Sequence, residues 1–276
     1  MPVLDAHTHL FPPEVIEKRG EIAARDRAFS LLYGDAHARM AEAKDLAAYM
    51  DREGVDMAVA TCFPFQDTGL VRLANDYVLE CARLDRRILP LVVVDGLDEK
   101  AALSEAERCL KKGARGVGEM AYYETGFGSE ERARIEGLCR FLADEGLPLM
   151  LHLNEQVGHK YHGKTRIDFA EVVRFVGAHP SLRIILAHMG GGICFYEFMP
   201  EIAKVFHLVY YDLAAVPFLY SDSVYAFAAR FLAKKVLFGS DFPLLTLARY
   251  RPGIEQLDEE EKRLILYENA RRLFEA

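Results

Sequence analysis

The 276-residue sequence predicts an α/β protein, a single (β/α)8 or TIM barrel that spans residues 1–276. Eight short apolar runs alternate with longer stretches of helical period, at a spacing of roughly 30 residues. Two of the runs, ILPLVVV and LRIILA, are apolar almost throughout, as expected for strands that are covered on both faces. No Ser/Gly-rich linker divides the chain. A doubly wound open sheet is the alternative fold, but it would normally contain fewer strands.

The strands and helices follow from the local patterns. The predicted strands, in chain order, are Val3–His9, Val55–Cys62, Ile88–Val94, Gly113–Glu119, Pro148–His152, Arg183–His188, Leu208–Leu213 and Lys235–Gly239. The helices predicted between them include Asp45–Glu53, Val71–Leu84, Glu99–Lys112, Glu130–Glu145, Asp168–Ala178, Asp222–Ala233 and Glu259–Phe274. In the fourth helix Ile135, Leu138 and Leu142 recur at steps of three and four residues, and Gly146 follows its end.

The composition limits the classes of protein to which the chain can belong. Hydrophobic residues make up 51% and charged residues 28%, so a large core is expected. The net charge of −8 argues against a nucleic-acid partner, because such proteins are more often basic. Five cysteines without a C-x-x-C spacing indicate free thiols in a reducing compartment. No signal peptide and no apolar run of about 18 residues is recognisable, so the sequence predicts a cytoplasmic protein without a membrane partner.

Three connections are long and follow strands. They are the stretch from His9 to about Lys44, the segment Tyr122–Ser129 and the segment Asn154–Thr165. All three should lie on the carboxyl-terminal rim of the barrel, where barrel enzymes build their sites.

The first strand, VLDAHTH, carries two imidazoles on one side. Side chains two residues apart on a strand point the same way, and their Cα atoms lie roughly 6–7 Å apart, so His7 and His9 can converge on one ion. Asp5 lies one step deeper, either as a hydrogen-bond acceptor for these rings or as structural filling of the barrel floor. Alone, an H-x-H pair is also compatible with histidines that serve the core.

Four other polar residues stand where an apolar strand stops. Glu119, His152 and His188 end strands 4, 5 and 6, and Asp241 follows strand 8. In a barrel these ends meet at one mouth. A metal centre accounts for them together, whereas a buried-polar role accounts for one or two, and the donor types suit Zn²⁺ and also Mn²⁺ or Fe²⁺.

The segments DAHTHL, LH at 151–152, AHMGG at 187–191 and FGSDFP resemble the amidohydrolase superfamily, specifically its amidohydrolase 2 branch. The resemblance extends over essentially the whole chain, to the C-terminal YENARRLF. It implies a metal-dependent barrel hydrolase or, as in some relatives, a decarboxylase. It also implies that His7, His9, His152 and Asp241 hold or contact the metal, while His188 ligates a second ion or orients the water.

Strand 4 departs from the pattern of many superfamily members, which carry a carboxylated lysine there to bridge two metals. This chain has Glu119 instead, similar to the TatD-type deoxyribonucleases, where a glutamate bridges. One or two ions are therefore both compatible with the sequence.

The expected chemistry follows from charge. A bound divalent ion lowers the pKa of its water from about 16 towards about 7. Asp241 can accept the proton of that water and deliver it to the leaving group, and His188 can stabilise an oxyanion if it is not itself a ligand. On the rim, His159, His162 or Lys164 can bind an anionic group of the substrate, although a solvated loop could carry the same charges.

The leading hypothesis is a metal-dependent hydrolase, most simply with zinc, that acts on an ester, lactone, amide or related bond of a small anionic molecule. A mononuclear decarboxylase or hydratase on the same scaffold is the first alternative, and a Glu119 that faces away from the metal would favour it. A TatD-like nuclease and a non-enzymatic metal-binding or regulatory protein are the others. The sequence indicates no particular oligomeric interface.

Overall fold

The structure, a computed structural model of the chain, describes residues 1–274. Within them, eight strands alternate with helices along the chain. The strands are β1 (Leu4–His9), β2 (Met57–Thr61), β3 (Ile88–Pro90), β4 (Val117–Met120), β5 (Leu149–Leu151), β6 (Ile184–Leu186), β7 (Val209–Asp212) and β8 (Val236–Leu237). All their pairings are parallel, and the α/β barrel predicted from the sequence is confirmed.

The helices surround the strands and fill the connections between them. They are α1 (Pro13–Glu17), α2 (Arg19–Ala23), α3 (Arg27–Tyr33), α4 (Ala43–Glu53), α5 (Thr68–Leu84), α6 (Glu99–Leu110), α7 (Ser129–Arg134), α8 (Glu136–Asp144), α9 (Phe169–Ala178), α10 (Pro200–Val205), α11 (Val216–Leu219), α12 (Ser223–Phe231), α13 (Leu247–Ile254), α14 (Glu259–Arg263) and α15 (Asn269–Phe274). An irregular segment with 3₁₀ turns, His188–Phe198, follows β6, and Met189, Gly190, Gly191 and Gly192 within it have positive φ. A π-helical turn joins α14 to α15 at Leu264–Glu268.

The strands form a three-stranded sheet, β1–β2–β3, and a five-stranded sheet, β4 to β8. Two isolated bridges close these sheets into a ring, Val92 with Val117 between β3 and β4, and Thr8 with Phe242 between β8 and β1. At the second seam the amide of Ala6 donates to the carbonyl of Phe238 at 2.7 Å. The barrel therefore has two seams, each narrower than a regular ladder.

Strands at the seams are shorter than predicted. The third strand ends at Pro90 rather than at Val94, although the amides of Leu91 and Val92 still donate to the carbonyls of Ala60 and Gly116. The fourth begins at Val117 rather than at Gly113, and Gly118 within it has φ +138°, outside the region of regular strands.

One predicted helix is divided. The stretch predicted over residues 130–145 forms α7 and α8, which meet at Ile135, where φ is −111° and ψ is 12°. Ile135 is fully buried, so the break turns its side chain into the core.

The barrel interior is apolar at its amino-terminal end. A cluster of strand residues fills it, namely Leu4, Ala6, Val59, Leu89, Leu91, Met150, Ile185 and Leu237. Ala270, Leu273 and Phe274 of α15 pack against this cluster and close the floor. Towards the opposite, carboxyl-terminal mouth the strands carry the polar residues His9, Glu119 and Asp212.

In the part of the chain that is described, no helix combines the length and the apolar character needed to span a bilayer. The five cysteines are all buried and unpaired.

Candidate metal centre

The first strand brings both of its histidines to the mouth. The ladder between β1 and β2 shifts register between Asp5 and Thr8, yet the Nε2 atoms of His7 and His9 lie 3.0 Å apart. Asp241, which follows β8 in a left-handed conformation with φ +60°, places its Oδ1 3.2 Å from His9 Nε2 and 3.9 Å from His7 Nε2. These three side chains form one group whose donor atoms could hold an ion.

A second group comes from strands 4, 5 and 6. Glu119 Oε1 lies 2.9 Å from His152 Nδ1 and 3.2 Å from His188 Nε2, and the two ring nitrogens are 3.1 Å apart. Glu119 and His188 are buried, and His152 is nearly so. The donor atoms of this trio are also close enough to hold one ion.

Glu119 lies between the two groups. Its second oxygen, Oε2, is 3.7 Å from His7 Nε2 and 3.8 Å from His9 Nε2, while Oε1 faces His152 and His188. The carboxylate therefore faces into the site with one oxygen directed to each group.

Asp212, the last residue of β7, fixes the orientation of two of these histidines and was missed in the sequence analysis. Its Oδ2 accepts a hydrogen bond from His7 Nδ1 at 2.9 Å, and its Oδ1 accepts from the amide of His188 at 2.8 Å. A carboxylate on Nδ1 leaves the lone pair of the neutral imidazole on Nε2, the atom that faces the site. The same rule that selected the other strand ends would have identified Asp212, which closes the VYYD run.

His188 is oriented in the same manner. Its Nδ1 donates to the carbonyl of Ala214 at 3.0 Å, which leaves Nε2 as the acceptor towards the site. His188 and Met189 both have positive φ, 57° and 53°, so the chain turns sharply just after β6. That turn directs the ring into the mouth.

Charges at the site are strongly coupled. Burial acts to raise the pKa of Glu119 and to lower that of His7, but neighbouring opposite charges outweigh it. His152 and then His7 bring the pKa of Glu119 well below its usual value, and Asp212 and then Glu119 bring the pKa of His7 well above its usual value. For His188 burial is likewise outweighed, chiefly by Glu119, and the pKa rises to about 9. Burial acts to raise the pKa of Asp241, but the neighbouring histidines, above all His9, lower it by more. The pKa of Asp241 therefore falls to about 2. The carboxylates are thus held ionised and balanced by positive charge.

The donor set fits a divalent cation. Donors around a tetrahedral ion with bonds of about 2.0–2.2 Å lie about 3.3–3.6 Å apart, close to the 3.0–3.9 Å measured between the donors of the first group. Two ring nitrogens, His9 Nδ1 and His152 Nε2, are buried without a hydrogen-bond partner among residues 1–274. They are the far nitrogens of rings whose other nitrogens, His9 Nε2 and His152 Nδ1, face the donor groups, so the fit to a cation follows from the distances among those facing atoms.

A cavity of about 470 Å³ opens above these residues. His9, Glu119, His152, His188 and Asp241 form part of its lining. The other walls are largely aromatic and aliphatic, and include Leu32, Tyr33, Phe63, Tyr123, Phe218, Leu219 and Leu244. A cavity of this size accommodates a small organic ligand.

The aromatic walls are stacked against one another. The rings of Phe63 and Tyr123 are nearly parallel at a centroid distance of 5.8 Å, and Tyr123 also contacts His152 at 5.2 Å. In the segment Tyr122–Ser129, Tyr123 lines the cavity, whereas Tyr122 and Phe127 are buried and pack on each other.

The connection after β5 contributes His159 and His162 to the cavity wall. Lys164 is placed differently, because its ammonium donates to the carbonyls of Val157 and His159 and lies 5.4 Å from the ring of Tyr161. Its charge stabilises the loop and does not line the cavity.

Arg39 is the cationic side chain that sequence reasoning did not single out. It lines the cavity from the long connection after β1, and among residues 1–274 its guanidinium donates to the carbonyls of Pro243 and Leu244 alone, at 3.5 and 3.3 Å. A solvent-facing arginine in a polar connection gives no sequence signal that separates it from its neighbours.

Asp5 serves the backbone rather than the imidazoles. It accepts hydrogen bonds from the amides of Ser240 and His7 and from the hydroxyl of Tyr49. Burial, only partly offset by these bonds, raises its pKa to about 6. The ring of His7 is supported from β7 instead.

Barrels whose parallel strands end in imidazoles and carboxylates form the class of metal-binding (β/α)8 enzymes, and fold and site together assign this chain to that class. Within it, the chain belongs to the amidohydrolase family (Amidohydro_2), whose sequence model matches residues 4–276. The superfamily resemblance and the prediction of an enzyme are thereby confirmed. No curated protein matches the chain.

Solved structures with the same fold include several decarboxylases. The 5-carboxyvanillate decarboxylase LigW from Sphingomonas paucimobilis is 18% identical, with a TM-score of 0.81 over 99% of each chain. A 2,6-dihydroxybenzoate decarboxylase is 18% identical, with a TM-score of 0.72 over 100% of each chain. A dihydroxybenzoic acid decarboxylase from a Polaromonas species, solved with manganese and 2-nitroresorcinol, is 17% identical, with a TM-score of 0.73 over 99% of this chain and 97% of that one.

Proposed function

We propose that this protein is a metal-dependent decarboxylase of a small aromatic carboxylic acid. The observation that carries the proposal is the cavity: an aromatic-walled space of about 470 Å³ with a cluster of metal-type donors on one side and an arginine on another. The decarboxylases that share the fold support it, and the alternative named in the sequence analysis becomes the principal hypothesis.

The shape and charge of the cavity suit an aromatic anion. Tyr33, Phe63 and Tyr123 offer faces and edges to a planar ring. Arg39 has no carboxylate partner within the described residues, so its guanidinium is available to a carboxylate of the substrate. His159 and His162 lie on the same wall and add donors for polar ring substituents.

Decarboxylation requires a proton at the carbon that loses CO₂. Asp241 lies on the cavity wall as an ionised carboxylate, and can take a proton from a hydroxyl of the substrate and return it to the ring carbon as the carbon–carbon bond breaks. His188, held by Ala214 and Asp212, can stabilise the oxygen on which charge develops.

A divalent ion would be held by His7, His9 and Asp241, with Glu119, His152 and His188 as the donors of a second position. When bound, it supplies Lewis-acid polarisation of a substrate oxygen. Manganese is our first choice because relatives of the same fold contain it, and the nitrogen and carboxylate donors also suit zinc.

One observation favours a second candidate function, a two-metal hydrolase. Glu119 faces into the site and directs one oxygen to each donor group, the arrangement expected of a bridging carboxylate. In the sequence analysis the mononuclear decarboxylase was linked to a Glu119 that faces away, and the structure does not have that orientation. The two functions therefore predict different metal contents and different products.

The test is direct product analysis with purified protein loaded with Mn²⁺ or with Zn²⁺. We expect release of CO₂ and the corresponding phenol from 2,6-dihydroxybenzoate, 5-carboxyvanillate or a related hydroxybenzoate, and loss of that activity after chelation. Hydrolysis of esters or lactones of the same acids, without CO₂ release, would contradict the proposal and support the hydrolase.

Arg39→Gln provides the substrate-side test. Loss of a charged hydrogen bond to a carboxylate costs about 1.5–3 kcal/mol, so we expect KM to rise roughly 10- to 150-fold with a smaller change in kcat. The matched control is Arg25→Gln, an exposed arginine of the same connection that does not line the cavity. An equal effect of both substitutions would contradict a role of Arg39 in binding the carboxylate.

A further inference from the structure

Three tyrosines line the cavity, and their hydroxyl groups differ in whether the protein already uses them. They are Tyr33, Tyr123 and Tyr161. The hydroxyl of Tyr161 donates to Glu155 Oε2 at 3.0 Å. The hydroxyls of Tyr33 and Tyr123 have no hydrogen-bond partner within the described part of the chain. Two phenol groups at the cavity wall therefore keep their hydrogen-bonding capacity.

Both of these hydroxyls reach the open space of the cavity. Tyr122 also has a hydroxyl without a partner, but that atom is buried in the protein. The hydroxyls of Tyr33 and Tyr123 are not buried in this way. Because the two side chains line the cavity and are only partly exposed, the space that their hydroxyls reach is the cavity itself.

Neighbouring aromatic rings fix the positions of the two side chains. Tyr33 is stacked on Phe29, with 5.1 Å between ring centroids. It also meets Phe11 and Phe63 edge-on, at 4.9 and 5.7 Å. Phe63 links the two tyrosines, since it packs on Tyr123 as well. The hydroxyls are therefore held in place before a ligand binds, so that little conformational entropy is lost when they form hydrogen bonds.

The two groups are hydrogen-bond donors at neutral pH. The ordinary pKa of tyrosine is about 10. Burial, and then the charge of Asp241, raises the pKa of Tyr33 above that value. Burial, and then the charge of Glu119, raises the pKa of Tyr123 in the same direction. Both phenols stay protonated, so they can donate hydrogen bonds to a ligand but are poor proton donors to a ring carbon.

The other polar groups of the cavity are suited to a different part of the ligand. Arg39 is cationic, and the group of His7, His9 and Asp241 would hold a cation. Both kinds of positive charge favour the carboxylate of a bound acid. Neutral phenol donors suit less strongly charged oxygens, such as those of ring hydroxyls.

We propose that Tyr33 and Tyr123 determine the specificity of this cavity by donating hydrogen bonds to oxygen substituents on the ring of the bound acid. The inference rests on the proposed function, in which an aromatic acid occupies the cavity. A site with buried donors rejects an analogue that lacks the matching acceptor, because the donors then remain unpaired. An acid with hydrogen in place of the ring oxygens is therefore bound more weakly.

The test is the affinity of the Mn²⁺-loaded protein for 2-nitroresorcinol, 2-nitrophenol and nitrobenzene, measured by isothermal titration calorimetry. The nitro group is planar and has two oxygens like a carboxylate, but it cannot leave as CO₂, so binding is measured without turnover. The ligands differ in the number of ring hydroxyls, which falls from two to none along the series. We expect the wild type to bind 2-nitroresorcinol most tightly and nitrobenzene most weakly.

Tyr33→Phe and Tyr123→Phe each remove one hydroxyl and keep the aromatic ring. We expect the dissociation constant of 2-nitroresorcinol to rise about 10-fold in each variant, the effect of one lost hydrogen bond. The dissociation constant of nitrobenzene should stay within about twofold of the wild-type value, because this ligand has no ring oxygen to accept from either hydroxyl.

Two matched controls are available. Tyr161→Phe removes a hydroxyl from the same cavity, but one that is already bonded to Glu155. Tyr122→Phe removes a hydroxyl that also lacks a partner, but its side chain does not line the cavity. Both variants should bind 2-nitroresorcinol like the wild type, and circular dichroism should show that all variants are folded.

A wild-type protein that binds 2-nitroresorcinol no more tightly than nitrobenzene would overturn the proposal. So would unchanged affinity for 2-nitroresorcinol in both Tyr33→Phe and Tyr123→Phe, or an equal loss in Tyr161→Phe. Binding that depends on the ring oxygens and on both tyrosines, in a protein that releases no CO₂ from hydroxybenzoates, would support this inference and refute the proposed decarboxylation alone.

Discussion

Substitution of Asp212 by asparagine tests whether the orientation of the imidazoles determines metal affinity. Asp212 Oδ1 accepts from two amides, those of His188 at 2.8 Å and Ala214 at 3.1 Å, and Oδ2 accepts from His7 Nδ1 at 2.9 Å. In the variant, the amide oxygen keeps the two backbone bonds. The NH₂ group must then face His7 Nδ1, where two donors would meet.

His7 can avoid this clash only by moving its proton to Nε2. The Nε2 atom lies 3.0 Å from His9 Nε2 and would no longer offer a lone pair to an ion. A hydrogen bond between a neutral and a charged group contributes about 1.5–3 kcal/mol, which corresponds to a 10- to 150-fold loss of affinity. Loss of one negative charge near the cation acts in the same direction, and a supporting residue of a metal ligand typically contributes 10- to 100-fold.

We would measure Mn²⁺ and Zn²⁺ affinity by competition with a chelating dye, together with the free energy of unfolding of the metal-free protein. Asp212→Asn should bind the ion 10- to 100-fold more weakly and should still fold, since all three hydrogen-bond positions remain filled. Asp212→Ala should instead be strongly destabilised, because two buried amides lose their acceptor at about 1–3 kcal/mol each.

The control is Asp26→Asn, another buried aspartate, which caps α3 by accepting from Phe29 and lies outside the donor groups. It should leave metal affinity unchanged. Wild-type affinity in a folded Asp212→Asn protein would refute the argument from orientation, as would ¹⁵N chemical shifts that show His7 still protonated on Nδ1.

Three further outcomes follow. Glu119→Gln should lower the metal content per chain by about one equivalent if two ions bind, whereas unchanged content by elemental analysis would support a single ion. Because the folded pKa of His188 is raised to about 9 from about 6.5, its stabilisation of the metal-free protein is fully present below pH 6.5 and is lost as the pH rises through 9. Urea unfolding should show a loss of about 3 kcal/mol from His188 over that range, and His188→Gln should remove that part of the pH dependence. Gly239→Ala should cost about 1–3 kcal/mol and weaken metal binding, because a Cβ there lies 2.8 Å from the Cβ of His7; Gly20→Ala, with open space around it, should not.

The sequence was sufficient to predict the barrel and the mouth where polar residues meet. Both follow from the periodicity of apolar residues along the chain. Apolar runs that are too short for helices alternate with helical stretches, and this order places the carboxyl ends of all strands on one rim. Residues such as His152 and Asp241 could be selected because each interrupts an apolar pattern at its end.

Other features depend on which distant residues come together, and local patterns do not contain that information. The two seams involve single bridges, such as the pair Thr8 and Phe242, that no run of residues indicates. Lys164 has the charge expected of a substrate-binding residue, but its carbonyl partners lie within its own loop. Arg39 lines the cavity from a long irregular connection, whose path follows from tertiary packing.

The division of the barrel into two sheets has a consequence for how the site is assembled. His7 and His9 belong to the three-stranded sheet, whereas Glu119 and the remaining donors come from the five-stranded one. A cation bound by donors of both sheets would link the two sheets across the seams of the barrel and connect the first strand to the last. Metal binding and closure of the barrel would then be thermodynamically coupled. Backbone amides at the seams should therefore exchange with solvent faster after the ion is removed.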